Sequence, residues 1–172
     1  MMHFSVTPDE VALPQGAYAK ARRLNVLWQG RHITSLSQGE YRAYLYPVYT
    51  PEGVPVTTEI PPDHPHHNSV WFAADHVNCR LPFAGDKLEE ANYNFYINEV
   101  FQGRAPGRII ARDTQSTERS ESHLEVKQTL DWQGPVEWGA PHRRRLAIET
   151  RTFDIRPGQQ ANRPTSSTFT PS

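Results

Sequence analysis

The chain has 172 residues, 37% of them apolar and 22% charged, with 15 prolines, 10 glycines and a formal net charge of −1. That length suits one domain with a continuous core, and the proline and glycine content favours short strands and turns over long helices. Near-neutrality removes any global electrostatic reason to seek nucleic acid or an anionic membrane as partner, no apolar run approaches the ~20 residues of a spanning helix, and the lone Cys79 excludes an internal disulfide.

The first twenty residues lack the basic-then-apolar order of a signal peptide, so a cytoplasmic location is expected. Pro8 and Pro14 interrupt residues 1–22, and residues 17–24 have room for a helical turn or two. Val26, Leu27, Trp28 and Ile33 then suggest a hairpin turning through Gln29-Gly30-Arg31-His32. Residues 41–49 are rich in aromatic side chains and read as a strand. It ends at Thr50-Pro51-Glu52-Gly53, where proline in the second position and glycine in the fourth suit a type I turn.

Residues 54–60 read as extended, Pro61 and Pro62 interrupt them, and residues 69–77 form an apolar strand. Glu89 and Glu90 fit a helical turn after Gly85. Strands over 93–101 and 108–113 flank Gly103-Arg104-Ala105-Pro106-Gly107, which resists regular structure. Between 122 and 133, Leu124, Val126, Leu130 and Trp132 fall on one face and Glu125, Lys127, Thr129 and Asp131 on the other, the period of a strand with one buried face. Residues 144–155 repeat the alternation more weakly, and from Arg156 apolar side chains almost vanish. Roughly eight extended segments with closely spaced turn signals predict an all-β antiparallel sandwich with little helix over residues 1–155, followed by a flexible polar tail over 156–172.

The run Asp63-His64-Pro65-His66-His67-Asn68 places three of the eight histidines within four residues. Neutral imidazole is the commonest nitrogen metal ligand, and its unperturbed pKa lies near neutrality. On an extended backbone His64 and His66 share one side and His67 takes the other, while Pro65 puts the segment at a sheet edge or loop. A divalent ion is the cofactor this pattern allows: His64 and His66 would bind it with His76, and Asp75, Glu99 and His123 are alternative third ligands. Without metal, His66 or His67 would be the general acid or base and Asp63 or Asp75 would orient the ring. A reading without chemistry has Asp63 capping a turn and the imidazoles donating to carbonyls.

Trp71, Asn68 and Asn78 are the candidate substrate-binding residues, because an indole face suits the C–H surface of a sugar; core packing is the competing role of Trp71. The tyrosines at 44, 46, 49, 93 and 96 and the tryptophans at 28, 132 and 138 read as structural. Cys79 reads as a small buried hydrophobe, with a nucleophile beside His76 as the competing role. The basic run His142-Arg143-Arg144-Arg145 suits either an anionic ligand or a solvated strand end, and neither Glu89 nor Glu90 has a carboxylate partner of glycosidase geometry.

Taken in order, Tyr44-Leu45-Tyr46-Pro47, Thr50-Pro51-Glu52-Gly53-Val54-Pro55-Val56-Thr57, the histidine run continued through Ser69-Val70-Trp71-Phe72, and Val77-Asn78 resemble the bacterial PmoA-like family over residues 41–155. The resemblance implies a β-sandwich related to sugar-binding supersandwiches and a role near carbohydrate or small-molecule catabolism. The family's oxygenase name implies a metal centre, but the membrane monooxygenase subunit of similar name needs spanning helices. Two departures stand out. Asn68 and Ser69 occupy positions where the family commonly has Arg and Gly, and family members are longer. The resemblance therefore implies a chain truncated at its C-terminus and an incomplete sandwich, either still binding a sugar-like ligand or reduced to a non-catalytic remnant. A half-sandwich would leave Leu124, Val126 and Leu130 uncovered, so self-association is expected.

Overall fold

A computed structural model describes residues 3–83, 85–137, 142–157 and 164–171. Eleven strands follow in chain order: β1 (Phe4–Thr7), β2 (Arg22–Trp28), β3 (Arg31–Gln38), β4 (Ala43–Leu45), β5 (Val70–Trp71), β6 (Val77–Phe83), β7 (Lys87–Tyr93), β8 (Arg108–Ser120), β9 (His123–Gln133), β10 (Arg145–Ile155) and β11 (Pro164–Pro171). They pair antiparallel into a five-stranded sheet β1-β2-β3-β4-β5, a four-stranded sheet β11-β10-β9-β8 and a separate hairpin β6-β7. There is no helix among the described residues.

The two larger sheets face one another across a shared core. Phe4, Val26, Leu36 and Leu45 of the five-stranded sheet pack with Leu124, Val126, Phe153 and Ile155 of the four-stranded one. A second cluster joins Ala43, Leu81, Tyr93 and Phe95 to Ile109, Leu130, Trp132 and Ala147. The fold is therefore an all-β antiparallel sandwich. The alternation read in β9 holds: Leu124, Val126, Leu130 and Trp132 are all buried. Because both sheets come from this one chain, that face is covered, and the bare surface expected to drive self-association is not there.

Local turn chemistry explains the best-marked connection. Gln29 (φ 50°) and Gly30 (φ 79°) both occupy the left-handed region, the requirement of a type I′ hairpin between β2 and β3. Elsewhere the expected elements shrink. Residues 17–24 form turns that run into β2 instead of a helical turn. The strand expected over 41–49 is regular only through β4, and residues 54–60 make only isolated bridges. The strand expected over 69–77 is limited to β5, and Glu89 and Glu90 lie in β7, not in a helical turn. Pro47, Pro51, Pro55, Pro61 and Pro62 supply no N–H to a ladder, which is why this part of the chain wanders.

The tail differs from expectation too. Residues 164–171 are not a loose polar end: β11 pairs with β10 from Ala147↔Pro171 to Phe153↔Pro164. Low apolar content argues against an independent core, but a strand added to an existing edge gains main-chain hydrogen bonds whatever its side chains. Trp138 and residues 158–163 lie outside the described residues.

Candidate functional site

The histidine run lies in the long excursion between β4 and β5, at the edge of the five-stranded sheet. Two consecutive turns shape it: the His64 N–H donates to the Pro61 carbonyl at 3.1 Å and the His67 N–H to the His64 carbonyl at 2.9 Å. The excursion is pinched shut where the Ile60 N–H donates to the His67 carbonyl at 3.1 Å, beside a Glu59↔Asn68 bridge. Ile60 and Ser69, each at φ 53°, carry the chain through left-handed conformations on either side. For a β-branched residue such as Ile60 this is strained backbone, held by its surroundings.

Turns, unlike strands, bring residues three apart together. His64 and His67 stack at 4.8 Å with their planes 18° apart, and His66 meets His67 edge-on at 4.6 Å. The assignment of His64 and His66 to one side and His67 to the other is thus corrected: the segment is not extended. The cluster continues into Tyr96, 5.3 Å from His66, and Trp71, 4.9 Å from Tyr96 and 5.8 Å from His67. Tyr96 Oη lies 3.3 Å from His67 Nε2.

Arg42, beside β4 and only 1% exposed, ties the cluster together from behind. Its Nη1 donates to the carbonyls of His66 at 2.7 Å and Tyr96 at 2.8 Å, its Nη2 donates to Asn98 Oδ1, and its Cζ sits 4.6 Å above the Trp71 ring. Burial lowers the guanidinium pKa to about 10, against smaller raising effects of Tyr96 and Tyr41. Arg42 also lines a cleft of about 230 Å³ with Tyr18, Tyr41, Pro65, Asn68 and Asn98. His66, half-buried, is held below the ordinary imidazole value by desolvation first, then by His67, Arg42 and His64, with Glu99 opposing. A neutral imidazole at pH 7 can accept a proton.

The other expected residues separate. Asp63 pairs with His64 Nδ1 at 3.0 Å, so it does not orient His66 or His67; that hydrogen bond is the main reason its carboxyl sits below the usual range. His76 pairs with Asp75 at 3.0 Å, Asp75 meets Arg104 at 3.3 Å, and His123 meets Asp154 at 2.6 Å. Among the described residues no group of three His, Cys, Asp or Glu is arranged to hold a metal ion, so His64, His66 and His76 do not form the expected ligand set. Asn68 is buried and lines the cleft. Asn78 lies on the β6-β7 hairpin, accepting from Asn92 Nδ2 at 2.6 Å, in a different groove.

Trp71 is half-buried beneath Arg42 and belongs to neither core cluster. Burial pushes the Cys79 thiol up, opposite to the activation a nucleophile needs. Within the basic run, Arg144 binds Glu89 and Glu137, and Arg143 donates to the Gly134 carbonyl at 3.1 Å.

Sequence reasoning missed Arg42 and Asn98 and discounted Tyr96. The available signal for Arg42 was a cation inside Tyr41-Arg42-Ala43-Tyr44-Leu45-Tyr46, where every neighbour favours burial. No helix among the described residues is long and apolar enough to cross a membrane. No curated protein and no solved structure matches the chain. Residues 23–170 match a family of unknown function (DUF6807), and the chain belongs to that family.

Proposed function

We propose that this DUF6807 protein binds a sugar-like polar small molecule at the His66, His67, Trp71 and Tyr96 rings and the adjoining cleft, with His66 able to act as acid or base on it. One observation carries the reading: four rings in mutual contact, one of them the exposed Tyr96, are fixed by a buried arginine that also lines the cleft. Aromatic faces take the C–H side of a pyranose, and the amides of Asn68 and Asn98 suit its hydroxyls. The resemblance in sequence to PmoA-like proteins supports a carbohydrate-related role, and a cytoplasmic location belongs to the same reading. A metal-dependent oxygenase has no support in the ligand geometry among the described residues.

The test is a titration of intrinsic fluorescence with a panel of monosaccharides, comparing the parent with Trp71→Phe. Saturable quenching that disappears in the variant is the expected result. His66→Gln should lose any turnover of the bound sugar and, because it removes one of the four rings, weaken binding less than Trp71→Phe does. A panel that leaves both the fluorescence and the amide spectra of residues 64–71 and 94–98 unmoved would refute the reading.

A further inference from the structure

The deeply placed arginines of this chain follow a pattern. Arg23, Arg104 and Arg151, with side chains 9%, 11% and 2% exposed, meet the carboxylates of Glu59 at 2.8 Å, Asp75 at 3.3 Å and Glu149 at 2.7 Å. Burying a guanidinium is unfavourable unless an opposite charge and hydrogen bonds accompany it, and these three are so accompanied. Arg42 departs from the pattern. It is as buried as Arg151, yet its partners are two carbonyls and an amide, all neutral, and among the described residues no carboxylate lies within ion-pair distance.

A guanidinium has five N–H groups. Three of those on Arg42 are engaged, and the buried Nε–H has no partner. Glu40, the one acid among the described residues of the cleft lining, is taken by Arg108 at 2.9 Å, so it does not balance Arg42. Thus Arg42, one of the residues lining a cleft of about 230 Å³ that also presents Asn68 and Asn98, carries a positive charge that no carboxylate among the described residues balances. The volume is below the ~300–1,000 Å³ of sites for drug-sized ligands and suits a single small ring or a short acid.

We propose that the ligand of this site is a sugar acid whose carboxylate sits in the cleft against Arg42, between Asn68 and Asn98, with its ring toward Trp71 and Tyr96. The inference rests on the ring-cluster reading and names its substrate class. An anion placed there removes the electrostatic penalty that Arg42 carries in the free protein, so charge, and not ring stacking alone, sets the affinity.

Isothermal titration of the full chain with glucuronate and galacturonate, beside glucose, galactose and sodium acetate at one ionic strength, decides it. The uronates should bind at least about tenfold more tightly than their neutral counterparts, a difference of about 1.4 kcal/mol. Arg42→Gln should abolish that preference and Arg42→Lys retain part of it. Should Arg42→Gln fail to fold, the parent still decides: the uronate preference should shrink as sodium chloride approaches about 1 M, where the screening length is about 3 Å.

Equal affinity for acidic and neutral sugars, or a preference that survives high salt or a folded Arg42→Gln variant unchanged, overturns the sugar-acid inference and leaves the ring cluster as a neutral-sugar site. Arg42-dependent binding of acetate without any sugar binding overturns the sugar-acid inference and the sugar reading together, leaving only a carboxylate site. No binding by any of the five compounds overturns both.

Discussion

Replacing Glu149 with leucine tests the least sequence-like feature of this core. Glu149 is fully buried on β10 and, among the described residues, accepts hydrogen bonds from Arg151 Nε at 2.7 Å, Arg151 Nη2 at 3.0 Å and Trp132 Nε1 at 2.9 Å. Arg151 is 1% exposed and, among the described residues, also donates to the Ala43 carbonyl at 3.2 Å. Leucine is apolar and of similar size, so the dominant loss is electrostatic: a guanidinium stays buried with, among the described residues, one neutral acceptor, at about 3–5 kcal/mol. The indole N–H loses this acceptor as well, worth about 1–3 kcal/mol, and because the two losses share one carboxylate they combine to about 4–6 kcal/mol. Domains are stable by about 5–15 kcal/mol, so E149L should be marginally folded. Urea unfolding followed by tryptophan fluorescence and circular dichroism measures it. The double variant Glu149→Leu with Arg151→Met should recover most of the loss, since an apolar pair of similar volume commonly replaces a buried ion pair at little cost. A single variant within about 1 kcal/mol of the parent, well under the loss expected for a broken buried pair, would refute the argument. So would a double variant no better than the single.

Three shorter predictions follow from other parts of the fold. A Cβ built on Gly107 would lie 2.5 Å from Cζ of the buried Phe95, so Gly107→Ala should destabilise by about 1–3 kcal/mol in thermal or urea unfolding, and Phe95→Leu should relieve it. Burial leads the causes that hold His66 and His32 below the ordinary imidazole value; their folded forms therefore bind fewer protons than the unfolded chain, and stability present above about pH 6.5 is lost as pH falls through that value toward the lower folded ones. Melting temperatures between neutral and acid pH should show this, and an NMR titration placing the His66 midpoint at or above about 6.5 would contradict it. Leu124→Ala should cost about 2–5 kcal/mol because the residue is buried in one cluster with Phe4, Val26 and Leu36, whereas a solvent-facing Leu124 would make the substitution nearly silent.

How legible the fold was varies strand by strand, for physical reasons. β9 could be read because its buried face is apolar apart from Gln128 and its wet face is polar, so side-chain chemistry follows the pleat. β10 obeys the same pleat, but its inner face runs Ala147, Glu149, Arg151, Phe153 and Ile155, so hydrophobicity alone blurs the period. The missing information was pairing: Glu149 and Arg151 are tolerated inside because they satisfy each other, and nothing local to either residue says so. β11 was illegible for the opposite reason. Its order comes from an edge that β10 supplies, a property of the partner strand and not of Pro164–Pro171.

The candidate site was half legible for related reasons. Residue types identified the histidine run as the place to look, yet the geometry of those rings is imposed from elsewhere in the chain. Pro61, Pro62 and Pro65 remove backbone donors from the segment, so it cannot choose its own conformation through a ladder. Arg42, more than twenty residues earlier, takes the His66 carbonyl and, on the same nitrogen, the Tyr96 carbonyl thirty residues later. A side chain with neutral partners in two loops fixes both of them against β4 and orients the rings those loops carry. The imidazoles mark the candidate site in the sequence, but the arginine behind them determines which rings meet.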